Sequence, residues 1–400
     1  MHNGTVVILG QLSNSLAHAA QAAAEMASAD LVAEPSVHNL LEWMVDDRPL
    51  AVLAPMSNEG REAVAVLRNR QNLAAVPVIG VADELSDLMF EEAFCSGLDD
   101  VSSGDVRRLG RRLRQLASVG PVDVEAHGRG VVIADADRRG RRIVGRVFRN
   151  AGFQVAFADD RPSALELATA GNVYLTIASS EMHGTGHDSL SRQAAERGSH
   201  VPWIIAASPR SMAQHQRELA GIVDQKIAVH DAFASPETLL FVANELINRP
   251  AVDGRQSERL LYGTTVDFRA AGRRSADEGY SFNVSAGGIY VRTLAPPERG
   301  TEVWLEFVPP RSDRLVHLEG TVAWARRYGP GHNATVPIGF GVQITGGSKA
   351  DVVRYGSSYR SFLAERLSVR RRTGQPVAAS VRAPRAGSVR APRAGSVPPS

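Results

Sequence analysis

Two short clusters in the last third of the chain combine side chains suited to holding a phosphorylated guanine nucleotide. Arg255 and Arg259 stand four apart in Arg255-Gln256-Ser257-Glu258-Arg259, and Asn283-Val284-Ser285-Ala286-Gly287-Gly288 follows after a strand-like segment. A guanidinium meets a phosphate, or the O6 and N7 atoms of guanine, with two parallel hydrogen bonds, a fork that a lysine ammonium does not reproduce. Asn283 offers a donor and an acceptor to a base edge, and Ser285 offers a rotatable hydroxyl. Gly287 and Gly288 leave a bare backbone where a ligand must come close. Either cluster alone is a weak signal. Paired arginines at a junction are commonly solvated, Asn-x-Ser-x-x-Gly is also a turn with Asx chemistry, and Arg269 to Arg273 repeats the arginine spacing nearby.

Order along the chain separates the two arginine pairs. Leu260 to Arg269 alternates through Thr265, Val266, Asp267 and Phe268 and reads as a strand, which puts Arg255 and Arg259 in its lead-in and Arg273 in a turn beyond it. The Asn283 element then runs into the apolar strand Ile289-Tyr290-Val291. Gly300 to Phe307, Leu318 to Trp324 and Ile338 to Ile344 supply further strands separated by Gly and Pro. Strands at this density predict a small antiparallel barrel. In motif order and strand spacing, roughly Gly254 to Leu363 resembles the PilZ family, whose paired signature is R-x-x-x-R before the first barrel strand and D/N-x-S-x-x-G at the next. Family members that keep both motifs bind cyclic di-GMP. The resemblance therefore implies that ligand, with Arg255, Arg259, Asn283, Ser285 and Gly288 as the binding residues. A charge-assisted hydrogen bond is worth about 1.5–3 kcal/mol, so losing one arginine is expected to weaken binding roughly ten- to a hundredfold.

A chain of 400 residues is too long for one ordinary core, and three folded domains fit the pattern. Eight arginines and no acid lie from Arg366 onward, so the net charge of +2 conceals a mildly acidic body. Cys95 is the only cysteine, which excludes an intramolecular disulfide and suggests a reducing compartment. In a helical pattern with Phe90 and Phe94 it is expected in the core. The chain shows no basic leader and no run approaching a transmembrane length, so a cytoplasmic protein is expected.

Before the barrel, short apolar strands alternate with helices. TVVILG, a helix from Ser15 to Ala27, ADLVAE, a helix around His38 to Val45, PLAVLAP, a helix around Glu59 to Arg68 and VPVIGVA lead on towards Val119. The plan restarts at Val131 with VVIADAD, FQVAFAD, VYLTIAS, VPWIIAAS and KIAVHDAF, closed by a helix from Pro236 to Ile247. This rhythm predicts two parallel, doubly wound α/β sheets of the flavodoxin-like type. Both halves resemble response-regulator receiver domains, through Ser96-Gly97-Leu98-Asp99-Asp100-Val101 in the first and Asp135 with Asp137 in the second. Receiver chemistry needs an acidic cluster for a divalent cation, a phosphate-accepting Asp, a Ser/Thr and a Lys. Gly10-Gln11 and Ala54-Pro55 stand at the acidic positions of the first domain; in the second, Asp135 fits the first acid, but Ala136 stands at the neighbouring acid position, Ala178-Ser179-Ser180 at the acceptor position, and Asp231-Ala232-Phe233 where Lys-Pro-Phe is expected. Both are expected to be pseudo-receivers without a phosphorylation site.

Glu181, His183, His187 and Asp188 cluster after the third strand of the second domain. Gly184 and Gly186 argue against a helix there, and a loop without metal is expected. The tail repeats Val-Arg-Ala-Pro-Arg-Ala-Gly-Ser at Val381 to Ser388 and Val389 to Ser396, a composition expected to stay disordered. The expected division is thus 1–119 and 129–249 receiver-like, 254–366 PilZ, and 367–400 a basic tail. No phosphate loop, nucleophile elbow or zinc spacing supports an enzyme. The expected function is a cyclic di-GMP receptor or adaptor in bacterial signalling, without catalytic, metal or cofactor residues. It would have a protein partner or pair with itself through its receiver-like domains, and would show no sequence-specific nucleic-acid binding. The alternative is a scaffold of the same fold that binds no nucleotide and acts through protein contacts in motility or polarity.

Overall fold

The computed structural model describes residues 4–34, 36, 38–39, 48–69, 76–120, 130–219, 226–247, 257–329 and 336–373, with side chains described as far as 368. The first unit runs β1 (Thr5–Leu9), α1 (Asn14–Met26), β2 (Asp30–Glu34), β3 (Ala51–Pro55), α2 (Asn58–Arg68), β4 (Val78–Ala82), α3 (Asp87–Cys95), β5 (Asp100–Ser103) and α4 (Val106–Ala117). Its five strands are all parallel in the order β2-β1-β3-β4-β5. β3 and β4 are continuous apolar runs because helices cover both faces of the sheet. Ser13, Ser57, Ser86 and Asp105 each accept a hydrogen bond from a backbone N–H in the first turn of α1 to α4, caps worth about 1 kcal/mol apiece. Of the helix expected around His38 to Val45, only His38 and Asn39 are described, and both are helical. Cys95 corrects one expectation. Phe90 and Phe94 are fully buried, but Cys95 closes α3 only partly covered, with Sγ 3.6 Å from the Phe233 carbonyl of the second unit. As the last helical residue it falls at a junction between units and outside the packed stripe.

The second unit repeats the plan: β6 (Gly130–Ala134), α5 (Arg138–Asn150), β7 (Gln154–Ala158), α6 (Arg161–Thr169), β8 (Val173–Ser179), α7 (Ser180–His183), α8 (Leu190–Glu196), β9 (Trp203–Ala207), α9 (Pro209–Leu219), β10 (Ile227–Asp231) and α10 (Thr238–Ile247). The strand order β10-β9-β8-β6-β7 gives the same doubly wound topology as the first sheet. The segment expected to be a loop contains one turn of α-helix at Ser180–His183 and a 3₁₀ turn at Gly186–Asp188. Gly184, at a positive φ of 73°, ends the first turn, so glycine stops the helix without preventing it.

The third unit is a closed barrel. β12 (Thr265–Ala270), β13 (Asp277–Ser285), β14 (Gly288–Arg292), β15 (Glu302–Phe307), β16 (Val316–Arg326) and β17 (Gly339–Gly347) pair antiparallel in the ring β13-β12-β15-β16-β17-β14, and β14 pairs back to β13. The two-residue β11 (Leu260–Leu261) pairs with the far end of β13. Leu260 to Arg269 is therefore two strands, with a break at Tyr262 to Thr264, where a Cβ on Gly263 would lie 2.5 Å from the Tyr280 hydroxyl oxygen. Alternation puts Val303, Leu305 and Phe307 of β15 into the barrel core. A helix that the sequence reading does not foresee, α11 (Lys349–Thr373), packs Tyr355, Tyr359 and Phe362 onto that core. It also runs past 367, where a tail is expected; residues 374–400 lie outside the described residues. Among the described residues, no helix is long and apolar enough to cross a membrane.

Candidate functional site

The Asn283 motif forms the hairpin between β13 and β14. Asn283 and Ser285 are two apart on one strand and share a face, while the alternate residue Val284 points into the barrel core. A bulge between Ser281 and Asn283 sets this register and turns Phe282 outward against Phe241 of α10. Asn283 is 5% exposed, and its carboxamide takes no hydrogen bond among the described residues. Ser285 Oγ donates across the turn to the Gly288 carbonyl at 3.3 Å. Gly288 lies against β17 so closely that a Cβ would stand 2.5 Å from the Val342 carbonyl oxygen. Glycine is required there by close approach.

The lead-in to the barrel is docked on the same hairpin. Ala286 N donates to Ser257 Oγ at 3.3 Å, and Tyr359 on α11 donates to the Glu258 carbonyl at 2.7 Å. Tyr355, one helical turn earlier, has its hydroxyl 2.8 Å from the carbonyls of both Ser285 and Gly288. Arg259 is half-buried in a segment docked beside this hairpin, and the next two residues, Leu260 and Leu261, pair with Val284 and Asn283. Arg255 lies outside the described residues. Arg273 stands at the opposite end of β13, in the turn between β12 and β13.

Ligands of doubly wound sheets gather at the carboxyl ends of the strands. In the first unit those ends present Leu9 followed by Gly10, and Pro55. In the second, Asp137 caps α5, accepting from the N–H groups of Arg139 and Gly140, and the N–H of Asp137 donates to Asp135. Burial lifts the Asp135 carboxyl above its ordinary pKa. Asp231 accepts from Phe233 N at 2.9 Å as an Asx turn. His183 is buried with both ring nitrogens engaged, Nδ1 with the Gly184 carbonyl at 2.8 Å and Nε2 with Ser191 Oγ at 2.9 Å. Burial pushes its pKa down to about 4. Among the described residues, no cluster of His, Cys, Asp and Glu could hold a metal ion.

Sequence reading misses a set of buried arginines that tie the three units together. Arg112 of α4 is wholly buried, donating to Asp100 at 2.8 Å, to Asp277 at 3.0 Å and to the Glu278 carbonyl at 2.7 Å, the last two on β13. Asp100 also accepts from Leu294 N at 2.7 Å. Arg68 and Arg146, from the first and second units, converge on Asp99. Arg292, the last residue of β14, lies over the Phe94 ring, 3.3 Å from its centroid, and pairs with Glu237 at 3.3 Å. In the sequence, Asp99 and Asp100 stand out only as receiver markers. Their partners lie in other units, so nothing local in the sequence announces them.

Residues 253–356 match the model of the PilZ domain. No curated protein matches the chain. Among solved structures, the chain is similar to the Bacillus subtilis inhibitor of motility MotI/DgrA, with 16% identity over 28% of this chain and 53% of that one and a TM-score of 0.24. The chain therefore spans about half the length of that protein. A two-component response regulator/GGDEF domain protein aligns over 62% of this chain and 98% of its own at 17% identity, with a TM-score of 0.29. The receiver domain of a signal transduction histidine kinase from Syntrophus aciditrophicus aligns over 29% and 90% at 17% identity, with a TM-score of 0.25. Parallel pairing and strand order define the fold of the first two units independently of these distant likenesses. Two receiver-like α/β units therefore precede a six-stranded barrel, and that barrel is a PilZ domain.

Proposed function

We propose that the protein is a non-enzymatic cyclic di-GMP receptor that converts nucleotide binding at the barrel into altered partner contacts. The observation that carries this reading is the docking of the Ser257 to Glu258 lead-in on the Asn283 to Gly288 hairpin, which brings the backbone that carries Arg259 to the strand that carries Asn283 and Ser285. The match of residues 253–356 to the PilZ domain supports the ligand class. In this reading Arg259 and Arg255 grip phosphate or guanine, Asn283 and Ser285 read a base edge, and Gly288 lets the strand lie against its neighbour. Because the lead-in joins the barrel to the second α/β unit, a ligand held by both sides stabilises one arrangement by its differential affinity. A cytoplasmic location and control of motility belong to the same proposal.

Calorimetry on the full-length protein is expected to show saturable binding of cyclic di-GMP. Arg255→Ala and Arg259→Ala should each weaken it roughly ten- to a hundredfold, whereas Arg273→Ala should leave it unchanged. Absence of heat at tens of micromolar nucleotide, or equal losses at all three arginines, would refute the assignment.

A further inference from the structure

A cleft of about 460 Å³ opens between the first α/β unit and the barrel, far from the nucleotide motif. Arg107, Arg111 and Arg114 project into it from α4, and Arg273, Arg274 and Ser275 from the turn between β12 and β13. This turn and Ser285 lie at opposite ends of the nine-residue β13, which at about 3.3 Å per residue separates them by roughly 25–30 Å.

The charge in the cleft is unbalanced. Two of these arginines share Asp277 with the buried Arg112: Arg111 Nε donates to its Oδ2 at 2.5 Å, Arg273 Nη1 approaches the same oxygen at 3.5 Å, and Arg112 takes Oδ1 at 3.0 Å. Among the described residues, Arg107, Arg114 and Arg274 form no ion pair. Arg273 Nη1 is buried without a hydrogen bond, and burial, together with the neighbouring Arg111 and Arg114, holds its guanidinium below the usual range. Like charges held this close destabilise the protein unless an anion joins them. The walls carry no aromatic ring, and their apolar part is confined to Ala295 and Pro296, so little there would recognise a base. Guanidinium forks fit phosphate oxygens bidentately, and the volume exceeds what a single phosphate fills.

We propose that this cleft is a second ligand site, specific for a small molecule carrying adjacent phosphate groups and bridging the first α/β unit to the barrel. It does not depend on cyclic di-GMP binding elsewhere. The test is titration of the full-length protein with inorganic pyrophosphate and separately with ATP at about 0.15 M salt, where exposed charges are screened within about 8 Å. Saturable binding is expected, weakened by about tenfold or more in an Arg107→Ala/Arg274→Ala double variant. Both side chains are exposed and unpaired among the described residues, so the variant should fold, with a thermal midpoint no lower than that of the parent protein. Equal affinity for the two probes, or tighter binding of ATP with its third phosphate, would support recognition through the phosphates. Failure of both probes to saturate at millimolar concentration, binding indifferent to the double variant, or displacement of pyrophosphate by an acidic peptide or by cyclic di-GMP would overturn the proposal.

Discussion

Burial keeps the His183 imidazole neutral in the folded protein, with its pKa pushed down to about 4. An unfolded chain takes up that proton near pH 6.5, so between the two values the unfolded state binds more protons. Stability contributed by a neutral His183 is complete above about pH 6.5 and drains away by about 3 kcal/mol as the pH falls to 4. A His183→Gln variant is expected to show a flatter decline of urea midpoint between pH 7 and 4.5. Parallel curves for the two proteins would count against this. The neighbouring metal-like cluster illustrates what residue types alone conceal, since spacing gives no indication that His183 spends both nitrogens on Gly184 and Ser191. Asn283 and Ser285, by contrast, are legible because a two-residue period places them on one face whatever else the chain does.

At the scale of elements, α11 holds the candidate nucleotide site together. The Tyr355 hydroxyl reaches the carbonyls of Ser285 and Gly288, and Tyr359 reaches that of Glu258. Tyr355→Phe should keep the ring in the barrel core, cost about 1 kcal/mol of stability, and weaken cyclic di-GMP binding by loosening the hairpin. Thermal unfolding and calorimetry on the same preparation would check both; loss of stability with unaltered affinity would separate the helix from the site. The strands are readable from their alternation, as in Val303, Leu305 and Phe307. The helix is not, although Tyr355, Tyr359 and Phe362 recur at helical spacing, because Gly356, Ser357 and Ser358 and the arginine-rich continuation blur the periodicity. The break at Gly263 is hidden too, since it answers to Tyr280 on the next strand.

Taken whole, the molecule is joined by buried charge. Removing one member of a buried ion pair leaves the other uncompensated, at a cost of about 3–5 kcal/mol. Arg112→Ala, which leaves Asp100 buried without its cation while Asp277 keeps Arg111, should lower stability by that amount in denaturant unfolding and expose the joint between α4 and β13 to limited proteolysis. A change under about 1 kcal/mol would mean that the pairs are incidental. Arg112 and Asp277 are 165 positions apart, beyond anything a periodic pattern can link. The chain by itself reveals each unit's plan and conceals how the units meet.

Tyr280 crosses one of these joints. It belongs to the barrel strand β13, yet it stacks on Phe90 with ring centroids 5.1 Å apart inside the first unit, and Leu294 and Tyr328 likewise fill the packing around α1 and α4. The barrel has lent the first unit part of its interior. Cutting the gene at the apparent borders would leave sockets on one fragment and bare greasy pegs on the other, so the barrel excised alone should clump. During descent, the three are expected to have been passed on as one inseparable block.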